Sequence, residues 1–115
     1  MVIKPGEYIR TIDGYIGKFI RYSKRKNDED TFYLFVSIPA LKKSKLKCKA
    51  SYIKKHNKNI IKVLKIGDYV DGYKIEDITK SYVECNDGGI DFEQNDIETV
   101  MTKEQYERYS YKLKD

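Results

Sequence analysis

Along most of this chain apolar and polar side chains alternate with a period of two, the pattern of strands that bury one face. Residues 7 to 12 and 15 to 22 (Tyr-Ile-Gly-Lys-Phe-Ile-Arg-Tyr) bracket Asp13-Gly14, a pair that favours tight hairpin turns. They read as strands one and two. Residues 23 to 30 are polar and read as a charged hairpin loop, and the aromatic and β-branched run 31 to 38 reads as a third strand stopped by Pro39. Residues 46 to 50 alternate again, which aims Leu46, Cys48 and Ala50 inward and Lys45, Lys47 and Lys49 out on one face. A helical stripe through Leu46, Ala50 and Ile53 competes with that reading.

The same pattern returns further along. Ile3-Lys4-Pro5-Gly6-Glu7-Tyr8-Ile9 is echoed by Leu64-Lys65-Ile66-Gly67-Asp68-Tyr69-Val70, 61 residues later, and each is followed shortly by Asp-Gly-Tyr. Self-similarity at that period implies two copies of one small unit, expected over 1 to 64 and 65 to 115. In the second, 68 to 70, 73 to 79, 82 to 85, 90 to 92 and 96 to 101 read as strands. Thr102-Lys103-Glu104-Gln105 has the form of a capping box, so a short helix is expected to about Arg108, with a last strand at 111 to 113. Laid on the first unit, the helix falls on 51 to 56 and the last strand on 60 to 64. Apart from the further strand at 96 to 101, each copy then reads as four strands, a helical turn and a fifth strand. The fold expected is mainly β, two tandem SH3-like barrels with a short helical turn before the last strand, and it favours the strand reading of 46 to 50.

Charge sharpens this picture. The net +5 conceals segregation: residues 1 to 30 carry 7 basic and 5 acidic side chains, 31 to 67 carry 10 and none, and 68 to 115 carry 6 and 13. Lys, Ile, Tyr, Asp and Asn form about half the chain, so a high lysine count alone says little; its clustering says more. Lys42, Lys43, Lys45, Lys47, Lys49, Lys54 and Lys55, with Tyr52 between them, are the candidate binding constellation. Clustered ammonium groups attract polyanions and tyrosines can stack on bases. The duller explanation is a solvated face, or one docked on the chain's own acidic half.

Other chemistry is poorly supported. His56 has no triad-like context and reads as an exposed helix-end residue. Asp87, Asp91, Glu93, Asp96 and Glu98 match no EF-hand spacing and read as a solvated acidic face. Gly14-Tyr15-Ile16-Gly17-Lys18 lacks the phosphate-loop pattern, so hairpin geometry should explain its glycines. Cys48 and Cys85, without CxxC partners, read as reduced, buried thiols. Neither a catalytic set, a metal site nor a cofactor is expected. No apolar run approaches the roughly 18 to 20 residues of a membrane span, and the first residues lack signal-peptide character, so a cytoplasmic protein without membrane contact is expected.

Residues 52 to 72, 102 to 113 and the opening Ile3-Lys4-Pro5-Gly6-Glu7-Tyr8-Ile9-Arg10-Thr11 resemble a family of small, mostly uncharacterised phage and prophage proteins of Gram-positive bacteria. Residues 39 to 50 depart from that family's pattern, which is more acidic there. The resemblance implies a mobile-element origin and carries over no functional residues. It leads to the expectation of a non-enzymatic inhibitor of a host nucleic-acid-targeting defence complex, of the anti-CRISPR type, acting through the lysine-rich face in the bacterial host's cytoplasm. The alternative is an SH3/KOW-like accessory protein that binds RNA or DNA.

Overall fold

The computed structural model describes residues 3–23, 33–86 and 88–109. The expected strand at 111 to 113, Asp87 and most of the loop at 23 to 30 lie outside them. Two five-stranded antiparallel sheets follow one another along the chain. The first contains β1 (Tyr8–Thr11), β2 (Ile16–Tyr22), β3 (Tyr33–Ile38), β4 (Lys43–Lys49) and β5 (Ile53–Asn57), in the spatial order β4-β3-β2-β1-β5. The second contains β6 (Tyr69–Val70), β7 (Tyr73–Ile78), β8 (Tyr82–Cys85), β9 (Ile90–Glu93) and β10 (Val100–Met101), in the order β10-β6-β7-β8-β9. Helix α1 (Lys103–Tyr109) follows.

Neither sheet closes, so the barrel expectation is wrong. Closure needs the fourth and fifth strands to meet, and here they are opposite edges of each sheet. In the first sheet β5 pairs only with β1 and β4 only with β3; in the second, β6 and β10 are two residues each, too short to splay across a tilted barrel.

The phase of the helical segments also differs from expectation. A 3-10 turn, Ala50–Tyr52, leads directly into β5, so residues expected as helix are strand. Residues expected as the first unit's last strand instead form a 3-10 turn, Ile60–Val63, capped by the Asn59 side chain. α1 follows β10 rather than preceding a described strand. Its capping box forms as the sequence implied: Gln105 N donates to Thr102 Oγ1 at 3.1 Å and Thr102 N to Gln105 Oε1 at 2.8 Å.

The repeat is exact in its backbone bonding. In the first copy Gly6 N bonds Phe19 O, Glu7 N bonds Lys4 O and Phe19 N bonds Glu7 O; in the second the same three bonds join Gly67 to Ile75, Asp68 to Lys65 and Ile75 to Asp68. Gly6 and Gly67 sit at φ 88° and 98°, where a side chain is unfavourable. The acid after each glycine accepts from the backbone N–H three residues earlier, Glu7 from Lys4 and Asp68 from Lys65. Even the irregularity recurs: the second strand bulges between Phe19 and Arg21 and again between Ile75 and Asp77.

Two cores follow from the alternation. Ile3, Ile9, Phe19, Leu34, Val36, Ile38 and Ile53 fill the first, with Leu46 and Cys48 of β4, and Ala50 just after it, packed against that core as their alternation implied. Ile60, Ile61, Val63, Leu64, Val70, Ile75, Val83 and Cys85 fill the second, joined by Ile16 from the first sheet. At that junction the buried Arg10 guanidinium meets Asp68, Glu104 and the Val63 carbonyl.

Candidate functional site

The register of the first sheet builds one cationic face. Phe35 stands opposite Arg21 on β2 and opposite Lys47 on β4, so the three side chains emerge on the same side. The inward pairs are Leu34 with Cys48 and Val36 with Leu46. Lys45, Lys47 and Lys49 are exposed and, alternating with those inward residues, share the outer face. The Lys45 ammonium lies 4.5 Å from the Phe35 ring centre and the Arg21 guanidinium 4.3 Å from it, so one aromatic ring steadies two cations.

The constellation read from the sequence is only partly assembled. Lys54 and Lys55 lie on β5, the edge opposite β4, with β3, β2 and β1 between; an open sheet separates what a closed one would join. Lys42 ends the 3-10 turn Pro39–Leu41 in a left-handed conformation, φ 53°, and Lys43 begins β4. Tyr52 does not stand ready to stack: its hydroxyl donates to Asp13 Oδ2 at 2.9 Å and its carbonyl accepts from Ile12 N. Burial and that bond push its pKa up to about 12. Arg21 and Phe35, which sequence reasoning missed, take the place of Tyr52 and β5; only pairing β2 with β3 and β4 reveals them.

Among the described residues, ion pairs between the halves run through Arg10 with Asp68 and Glu104, on β1 rather than β4. Lys65 completes that cluster, 3.0 Å from Glu104.

The second sheet presents the equivalent face with its charge reversed. Asp77 stands opposite Glu84 and Glu84 opposite Asp91; Tyr82 stands opposite Glu93. By strand, bulge and register, Arg21 corresponds to Asp77, Phe35 to Glu84, Lys47 to Asp91 and Lys49 to Glu93. The Tyr82 hydroxyl feels this: nearby Glu84 raises its pKa most, then burial, then Asp91 and Asp77. Among the described residues no three His, Cys, Asp or Glu side chains converge as a metal site. Asp96 and Glu93 are engaged in capping the 3-10 turn Gln94–Asp96.

The remaining sequence candidates resolve simply. His56 is on strand β5, half-buried rather than at an exposed helix end, with Nδ1 3.1 Å from Glu7 Oε1. Gly14 serves the hairpin, at φ 88°, but Gly17 serves close approach instead: a Cβ there would stand 2.1 Å from the Ser37 carbonyl oxygen. Both cysteines are free thiols; Cys85 is buried and donates to the Tyr73 carbonyl at 3.9 Å, and Cys48, expected buried, is half-buried.

Between the sheets opens a groove of about 290 Å³, with Tyr8, Ile16, Ile60 and Val100 as apolar lining and Lys18 and Glu98 among its ionisable groups. The Lys18 ammonium lies 4.9 Å from the Tyr8 ring centre. Among the described residues no helix is long and apolar enough to cross a membrane. Comparison with protein-family models, curated proteins and solved structures finds no match to the chain.

Proposed function

We propose that the protein is a non-enzymatic binding protein of a mobile element that occupies a surface of a host nucleic-acid-targeting defence complex, as an anti-CRISPR protein does. Arg21, Phe35, Lys45, Lys47 and Lys49 make the contact. One observation supports it above the others: the strand register holds these cations side by side on one open sheet face. Such a face fits an anionic surface, either the guide or target strand carried by the complex or an acidic patch of its protein. Lys42, Lys43, Lys54, Lys55 and Tyr52 fall outside this contact.

A nucleic-acid-binding accessory is the second reading. The spacing of Lys45, Lys47 and Lys49 favours it, because alternate strand residues stand ~6.8 Å apart, close to the interval between successive phosphates of an extended single strand. Phe35 is already flanked by two cations, so contacts on this reading are to the backbone and carry little sequence preference.

Fluorescence anisotropy with single-stranded and duplex oligonucleotides across a salt series, beside a pull-down from host lysate with and without nuclease, tests both. Oligonucleotide binding whose affinity falls steeply and linearly on a log scale with salt supports the accessory reading. Weak oligonucleotide binding with nuclease-resistant capture of one defence complex supports the inhibitor. If Lys45→Glu, Lys47→Glu and Lys49→Glu together leave both signals unchanged, the face is not the contact.

A further inference from the structure

We infer that the cationic face of the first sheet docks on the anionic face of the second sheet in another copy of this chain. The two faces are equivalent surfaces of one repeat. Both carry the same bulge in their second strand, and both pair their second, third and fourth strands in the same register. Their backbones are therefore of one shape while their charges are opposite at three corresponding positions: Arg21 against Asp77, Lys47 against Asp91, Lys49 against Glu93. Each also lies at a free end of its sheet, β4 in the first and β9 in the second.

Like charges on neighbouring strands repel, and the second sheet aligns Asp77, Glu84 and Asp91 across three strands. In the first sheet Phe35 takes the place of the central charge beside Arg21 and Lys45. The ion pairs that join the halves lie at Arg10, Asp68 and Glu104, away from β4 and β9. A second copy brings opposite charge to one face of each molecule, and repetition of that head-to-tail contact covers the other. Interfaces of unlike patches are also the kind that steers association by charge and weakens with salt.

This proposal is independent of the function proposed above, although the two share the basic face. A self-associated molecule has that face covered, so an anionic partner and a second copy compete for it.

Sedimentation velocity of the full chain over a range of concentrations, at low salt and at high salt, is the first measurement. Mass above the monomer at low salt, reverting to monomer at high salt, is expected. Two reversal variants follow: Lys45→Glu with Lys47→Glu and Lys49→Glu, and Asp77→Lys with Asp91→Lys. Each variant alone should be monomeric, and an equimolar mixture should associate, because one then has two acidic faces and the other two basic ones. Lys54→Glu with Lys55→Glu and Lys62→Glu, of the same net charge as the first variant, should associate like the wild type. A wild type that is monomeric at every salt concentration overturns the proposal, as does association that survives both reversals. Partner binding is read separately: the Asp77→Lys, Asp91→Lys variant keeps it or tightens it, whereas loss there would place the partner on the acidic sheet.

Discussion

Arg10 on β1 and Asp68 at the entrance to β6 form a two-point contact, Nη1 to Oδ2 at 2.6 Å and Nη2 to Oδ1 at 3.1 Å, with both side chains almost wholly buried. Asp68 also accepts from the backbone N–H groups of Lys65 and Lys103. The carboxylate thus ties three segments together, and removing the guanidinium would strand it. Arg10→Met should destabilise the protein by about 3–5 kcal/mol, the usual cost of leaving one buried partner unpaired. Urea denaturation measures it, and a double variant with Asp68→Asn should lose less than the sum of the two single changes.

Glu104 gives that junction a pH dependence. Burial would raise its pKa, but hydrogen bonds from Lys65 and Arg10 outweigh this and hold it at about 2, below its ordinary 4.5. A depressed carboxylate contributes stability that is present above its unfolded pKa and lost as pH falls through the folded one. Stability should therefore decline between pH 4.5 and about 2, and Glu104→Gln should flatten part of that decline. Denaturation midpoints across this range test it.

Gly14 and Gly72 occupy corresponding hairpin turns at φ 88° and 87°, so alanine at either carries the left-handed cost of about 1–2 kcal/mol. They differ in what surrounds them. A Cβ on Gly14 would stand 2.5 Å from the Glu104 Cβ, whereas nothing lies within 4 Å at Gly72. Gly14→Ala should therefore be clearly the more destabilising of the two in thermal melts, because it also displaces α1 from the first sheet.

Burial pushes the Cys48 thiol up to about 11 and raises that of Cys85 as well. Near neutral pH both are then almost wholly protonated and poor nucleophiles. A disulfide reagent should label half-buried Cys48 slowly and Cys85 only as the fold opens. Rapid labelling of both in the native state would contradict the packing.

Charge reversal at Lys54 and Lys55 should leave the binding carried by the β4 face intact, because three strands separate the two edges. Reversal at Lys45, Lys47 and Lys49 should abolish it while melting temperature stays nearly constant, since exposed charges contribute little to folding. Anisotropy and thermal melts on both variants give the comparison.

Alternation was a reliable guide to which way side chains face: Leu46, Cys48 and Ala50 pack inward as their spacing requires. The turn at Gly6 and its copy at Gly67 were equally legible, because positive φ leaves few residues a choice. Sheet closure was not, since it depends on whether the two edge strands meet, β4 with β5 and β9 with β10, and alternation along one strand carries no information about its partner. Arg10 gave no sign of burial; an arginine in an alternating strand looks solvent-facing until another segment covers it. The mirrored faces were hidden for a related reason. Arg21 and Asp77 align only when the shorter second hairpin is allowed for, and matching the glycines alone leaves them out of step.

The clasp at Arg10 also makes the two copies unequal. Its receptor, the acid after the turn glycine, exists in both copies, as Glu7 and Asp68. Its ligand does not: the second hairpin is shorter, so the chain position that follows Val70 is already the turn residue Asp71, at φ 48°, whose carboxylate is committed to the backbone N–H groups of Glu98 and Thr99. The joint between the copies therefore has a direction: the first supplies the guanidinium and the second the acid that receives it.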